Sequence, residues 1–287
     1  MALISNILFP VDFSPAGIAM APYVKRAALL AGARVSLIHV FDAASYNGFE
    51  LYLRAAPEIA EEHEMIARNR LDDFLQREFP AAECPRILVA GDAAMQIAQT
   101  ARNGFDLIVM PTHSGFFRRM LLGSTTAKVL NDADCLVLTS MHSETIHPRP
   151  LEHREWLCAI DLGHDSERVL RLAHRAAMEE QANLSIIHAI QSEDAILPAQ
   201  LDLEEQVQSV ERKEAHERIA DLQKRVGSNA PVRIAVGPVK EALLEAAESS
   251  DADVLIMGRS PQSGALGRLR DLTYTMIRDS PFPVLSV

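Results

Sequence analysis

Short apolar runs alternate along the chain with longer stretches of helical period, and this alternation recurs throughout its length. The run ILFPVDFS after Asn6 predicts a strand that ends in a carboxylate, followed by a helix from Ala16 to Leu30 that stops near Gly32. Val35 to Phe41 predicts the second strand. After a loop around Asn47 and Gly48, Ala67, Leu71, Phe74 and Leu75 share one face of a helix expected to run to about Glu78, with Pro80 and Pro85 bracketing its exit. Arg86 to Ala90 predicts the third strand, and Gly91-Asp92 opens a helix reaching about Arg102. Asp106 to Met110 predicts the fourth strand and Cys135 to Ser140 the fifth. Strands joined by helices of this length call for a parallel sheet covered on both faces.

The second half repeats the first. Asp12 in ILFPVDFS corresponds to Asp161 in WLCAIDLG, and His39 in SLIHV to His188 in SIIHA, both at an offset of 149. DLIVM at 106–110 matches DVLIM at 253–257 at an offset of 147, as Val137 matches Val284. A repeat on this scale is a tandem duplication. The stretch 141–155, with two prolines, mixed charge and no apolar period, reads as an exposed connection. The expected division is a first domain over 1–142, a linker over 143–153 and a second domain over 154–287. His142, His147 and His153 in or beside the linker have no regularly spaced carboxylates or thiolates, so solvated side chains are expected rather than a metal site.

Composition narrows the function classes. With 287 residues, 48% of them hydrophobic, the chain can fill two cores. A net charge of -11 opposes a surface built for nucleic-acid phosphates. No apolar run reaches membrane-spanning length and the first residues do not form an export signal, so a cytoplasmic protein with neither nucleic-acid nor membrane partners is expected. Cys84, Cys135 and Cys158 show no paired spacing and are expected to be small hydrophobes, without a disulfide or a zinc site.

Candidate chemistry gathers at strand ends. Gly123, Ser124 and Thr125 open a helix, where unpaired backbone N–H groups and the dipole suit an anion. Ser124 as a plain helix cap is the structural alternative. Pro10 is out of place inside a central strand, which marks the end of the first strand as special. Asp12 there is either a ligand group or a cap, a task that Ser14 can fill as well. His39 and His188 are expected to be satisfied strand-end histidines. His113 stands next to Thr112, where its ring can touch a ligand or pin the loop. No nucleophile with a base, no Walker lysine motif and no GxSxG elbow appears, so no catalytic residue is assigned.

The combination ILFPVDFS, the LIHV strand, AGD, DLIVM-x-T-H and LLGSTTAKVL with CLVL resembles the universal stress protein family in its tandem two-domain form. The resemblance implies two doubly wound α/β units, adenine nucleotide alpha hydrolase-like, each a five-stranded parallel sheet in the order 3-2-1-4-5. It also implies ATP with Mg or Mn at the ends of strands 1 and 4, the point where strand order reverses. By that resemblance Pro10, Val11 and Asp12 lie beside the adenosine and Val40 offers backbone bonds to the base. Pro111, Thr112, His113, Ser114 and Gly115, then Gly123, Ser124 and Thr125, meet the phosphates. The chain departs from the family's G-x-x-G pattern: Pro111 and Ser114 replace two glycines, and Pro111 has no N–H to give. In the second half Gly258 remains, but Pro261 and Asp271-Leu272 replace the rest, so this half is expected to be degenerate for ATP. Asp161, Gly258 and Arg259 mark a second site there, open to another ligand or to a purely structural role. The implied activity is regulatory or protective binding in the stress response. The alternatives are a scaffold that holds a different small molecule, and a slow ATP hydrolase. Single-domain members pair through the edge of the fifth strand, so Leu136 to Leu138 and Val284 to Leu285 are expected at a pseudo-dimer interface inside the chain, with a homodimer as a further option.

Overall fold

The apolar runs become the central strands of two α/β units. The computed structural model describes residues 2–41, 56–112, 122–140, 154–192, 201–259 and 268–287. The chain divides into units at Met1–Leu151 and Glu152–Val287. The first unit runs β1 (Asn6–Pro10), α1 (Pro15–Ala31), β2 (Arg34–Phe41), α2 (Ala56–Asp73), β3 (Arg86–Ala90), α3 (Ala93–Ala101), β4 (Leu107–Pro111), α4 (Ser124–Asp132) and β5 (Leu136–Ser140). Its strands pair in parallel in the order β3-β2-β1-β4-β5. Ile7, Leu8, Phe9, Leu37, Ile38, Ile108 and Val109 are buried, as strands covered on both faces require.

Local chemistry sets the element ends. Ser14 caps α1, its hydroxyl accepting from the Gly17 N–H, and Pro15 takes the first turn, where its missing donor costs nothing. Gly32 closes the helix in the left-handed conformation at φ 62°. α2 ends at Asp73 rather than near Glu78, because Leu75 turns left-handed at φ 52° and breaks the helical path. The turns that follow carry Phe79 back into the core, where its ring meets Phe9 edge-on with centroids 6.1 Å apart.

The strand with DLIVM begins one residue later than its sequence suggests, and Asp106 has a different task. Its Oδ2 accepts from the backbone N–H groups of Ser5 at 2.8 Å and Asn6 at 3.0 Å, tying the start of β1 to the start of β4.

The second unit repeats the order. It runs β6 (Glu155–Ala159), α5 (Ser166–Glu180), β7 (Asn183–Ile190), α6 (Leu201–Val226), β8 (Val232–Val236), α7 (Val239–Ser249), β9 (Val254–Met257), α8 (Arg268–Asp279) and β10 (Val284–Ser286). The strands pair in parallel as β8-β7-β6-β9-β10. Asp253 copies the clamp, its Oδ2 accepting from Arg154 N–H at 2.8 Å and Glu155 N–H at 3.0 Å. Each unit therefore has the 3-2-1-4-5 order. Cys84, Cys135 and Cys158 are free thiols. Among the described residues, no helix is long and apolar enough to cross a membrane.

Candidate functional site

Strand divergence creates the site. β1 pairs with β2 as far as Pro10, but its register with β4 is limited to Ile7 and Leu8, so the proline's missing donor falls where β1 has parted from β4. That parting is the crevice expected where strand order reverses.

The turn beyond each first strand is built alike in both units. Phe13 and Leu162 are left-handed, at φ 61° and 58°. The preceding aspartates close the turn with their side chains. Asp12 Oδ1 accepts from the Ser14 N–H at 3.0 Å, and Asp161 Oδ1 from the Gly163 N–H at 2.8 Å. Ser166 also donates its hydroxyl to Asp161 Oδ1, at 2.9 Å. Both aspartates are exposed. The strand-end histidines pin the carbonyls just before them: His39 Nδ1 lies 2.8 Å from Val11 O and His188 Nδ1 2.8 Å from Ile160 O. A carbonyl only accepts, so Nδ1 carries the proton in each ring. Burial lowers the pKa of His39 below its ordinary value, against the bond to Val11, which raises it. Both histidines are satisfied where they stand.

The units differ around the left-handed residue. The Phe13 ring lies 4.3 Å from the His39 ring and 5.2 Å from that of Phe74, centroid to centroid, with the Arg70 guanidinium 4.4 Å from its centre. In the second unit Arg218 instead donates to the Leu162 carbonyl.

Backbone and hydroxyl bonds bring the end of β4 and the start of α4 together. Thr126 Oγ1 donates to Pro111 O at 3.1 Å, Gly123 N–H to Thr112 O at 2.9 Å, and Thr112 N–H to Ser140 O at 3.2 Å. Gly123 has φ −57°, open to any residue, and its N–H is already spent on Thr112. Ser124 and Thr125 occupy the first turn, and no side chain caps the helix at Gly123. Val40 is half-buried in β2 opposite Val89. His113, Ser114 and Gly115 lie outside the described residues.

In the second unit a cavity of ≈ 590 Å³ opens at the ends of β6, β7 and β9. Asp161 and Gly258 line it. Arg259 is not among its lining residues, and its N–H donates to Val287 O at 2.8 Å. Thr273 Oγ1 reaches Gly258 O at 3.5 Å, the counterpart of the bond from Thr126 to Pro111. The cavity also takes in Asp165, Gln191, Lys240 and Glu241, none of which sequence reasoning singled out. Lys240 and Glu241 follow Gly237-Pro238, and Gly237 is the structural twin of Gly91. The two glycines have φ 141° and 134° and donate 3.0 Å bonds to Ile190 O and Phe41 O. That repeat was a signal for the position of these residues, though not for their role.

The lysine at this cavity shares one carboxylate with an arginine. Lys240 Nζ lies 2.7 Å from Asp279, whose carboxyl is held down at about 2 by Arg278 first and Lys240 second. Among the described residues no three His, Cys, Asp or Glu side chains form a metal-ligand group.

The family model described as the universal stress protein family matches residues 4–140 and again 153–287. No curated protein matches the chain by sequence. A universal stress protein from Archaeoglobus fulgidus DSM 4304 has a similar structure, with 21% identity, a TM-score of 0.64 and coverage of 98% of this chain and 95% of the other. A functionally unknown protein from Pseudomonas aeruginosa PAO1 is similar at 19% identity and a TM-score of 0.65, over 99% and 92% of the two chains. At these identities the likeness is one of fold.

Proposed function

Because the chain belongs to the universal stress protein family, in its tandem two-domain form, we propose that it is a stress-response protein that binds a small molecule, rather than an enzyme. The observation that carries this reading is the cavity of ≈ 590 Å³ at the strand ends of the second unit, of the size and place of a ligand site in an open α/β sheet.

In the first unit the proposed ligand is an adenine nucleotide. Pro10, Val11, Asp12 and Val40 are its adenosine side. The start of α4 at Gly123, Ser124 and Thr125 is its phosphate side, where no side chain occupies the cap. A divalent cation, Mg or Mn, would come in on the phosphates. Slow hydrolysis would be incidental to binding.

Calorimetric titration of the full chain with ATP and Mg tests the reading. One nucleotide per chain is expected, and Gly123→Asp is expected to remove it. Aspartate is a good helix cap and the φ at this position suits it, so the variant keeps its fold while setting a carboxylate against the phosphates. Two equal sites, or no nucleotide at all, would overturn the assignment. The second reading, a non-nucleotide ligand, is favoured by the cavity's position in the half that has lost the phosphate motif.

A further inference from the structure

Each unit's strand order ends in an edge. Among the described residues β3 pairs only with β2, and β8 only with β7. The registers fix which backbone groups turn away from the sheet. Leu37 N–H donates to Pro85 O and Gly91 N–H to Phe41 O, so the odd-numbered residues of β3 bond to β2, while Arg86, Leu88 and Ala90 turn their N–H and C=O outward. In β8, Ile186 N–H donates to Pro231 O and Gly237 N–H to Ile190 O, which leaves Val232, Ile234 and Val236 outward. Such a row of donors and acceptors is a template for another strand. The edge sequences RILVA and VRIAV are mostly apolar and do little to repel one.

In both units an arginine from the preceding helix reaches one of these outward carbonyls. Arg68 Nη1, on α2, donates to Arg86 O at 3.3 Å, and Arg212 Nη1, on α6, donates to Ile234 O at 3.1 Å. Packing of helix on sheet explains an arginine near the edge strand, but not the choice of an outward carbonyl twice. Nor does the duplication explain it. Offsets of 147 and 149 set Arg68 opposite Ala215 and Glu217, not Arg212, so two unrelated positions make the same kind of contact.

A carbonyl that already accepts from a guanidinium is a poor acceptor for an incoming strand. Ile234 is the middle one of the three outward residues of β8, so its bond to Arg212 interrupts any ladder built there. A second copy approaching antiparallel about Ile234 would also bring two Arg212 cations together, at a cost in like-charge repulsion.

We infer that Arg212, and with it Arg68, guards an outer sheet edge against pairing with a second copy of this chain. Arg86 is the first of the outward residues of β3 rather than the middle one, which makes Arg68 the weaker guard. Neither guard depends on what either unit binds.

Sedimentation velocity of the full chain over a concentration series, with amide hydrogen exchange read by NMR, tests the guards. Arg212→Ala trims one exposed side chain, so the variant folds, and its urea midpoint checks that it has. It should self-associate about tenfold or more tighter than wild type, with the N–H groups of Val232, Ile234 and Val236 gaining protection as concentration rises. Arg68→Ala should show a smaller shift, with protection gained at Arg86, Leu88 and Ala90. Arg212→Lys keeps a cation that can reach the carbonyl and should stay within a few-fold of wild type. Arg212→Ala sedimenting as wild type does, or associating without new protection at Val232, Ile234 and Val236, would overturn the inference. Concentration-dependent protection of those three amides in the wild type would overturn it as well.

Discussion

His188 donates its Nδ1–H to the Ile160 carbonyl over 2.8 Å, fixing the last backbone oxygen before Asp161. His39 makes the same bond to Val11, one residue before Asp12. A side chain from the second strand of each unit thus sets the direction in which the chain leaves its first strand. The left-handed turn and the exposed carboxylate at the crevice follow from it. The two histidines, expected from the sequence to be satisfied at their strand ends, act here as anchors for the backbone that forms the site.

The anchor makes stability depend on pH. Burial above all places the His39 pKa below its ordinary 6.5, so the unfolded chain takes up the proton first as pH falls. The stability from the neutral ring is complete above about pH 6.5 and is lost as pH drops from there toward the lowered folded value. Thermal unfolding of wild type and His39→Gln between about pH 8 and pH 5 should show the wild-type advantage shrinking on the acid side. An advantage constant across that range would contradict the assignment.

The aspartate clamps are a second test. Asp106 and Asp253 each hold two backbone N–H groups at the start of a first strand. Replacing either with alanine leaves two donors to water at a part-buried strand end and should cost about 1–3 kcal/mol in urea unfolding. The milder changes Asp106→Asn and Asp253→Asn each keep one oxygen acceptor and should lose less. Alanine variants with unchanged unfolding midpoints would show that the clamps carry no stability.

The thiols give a third. Cys158 is fully buried in β6 and its pKa is pushed up to about 12 by loss of water. Burial likewise raises that of Cys84. The thiolate is the reactive form, so iodoacetamide at mildly alkaline pH should leave Cys158 unmodified in the native protein and label it once urea unfolds the chain. Native labelling of Cys158 at the rate of a free thiol, read by mass spectrometry of the peptides, would refute its place in the core.

Most of the fold was legible in the sequence because it rests on local patterns. Apolar runs bounded by turn residues marked the strands, the offsets of 149 and 147 exposed the duplication, and Ser14 and Gly32 announced the ends of a helix. The end of α2 was not legible. Leu71, Phe74 and Leu75 keep helical spacing, while the left-handed turn at Leu75 goes with a long-range contact of Phe79 against Phe9. Asp106 read as the first residue of a strand, and its bonds to Ser5 and Asn6 span about a hundred residues of chain.

For the site, sequence alone determined which positions carry unusual chemistry: Asp12 and Asp161 at matching strand ends, Gly258 retained, and Asp271 and Pro261 where a phosphate loop would need glycine and a hydroxyl. Tertiary structure decided what those positions do. It showed the N–H of Gly123 already spent on Thr112 and both strand-end histidines on carbonyls. It also brought Asp161, Asp165 and Glu241 from separate elements around one cavity, beside a lysine that shares Asp279 with Arg278. Periodicity and capping act within a few residues and can be read along the chain. The charge that a ligand meets is a sum over elements far apart in sequence, and only folding fixes which of them share a space.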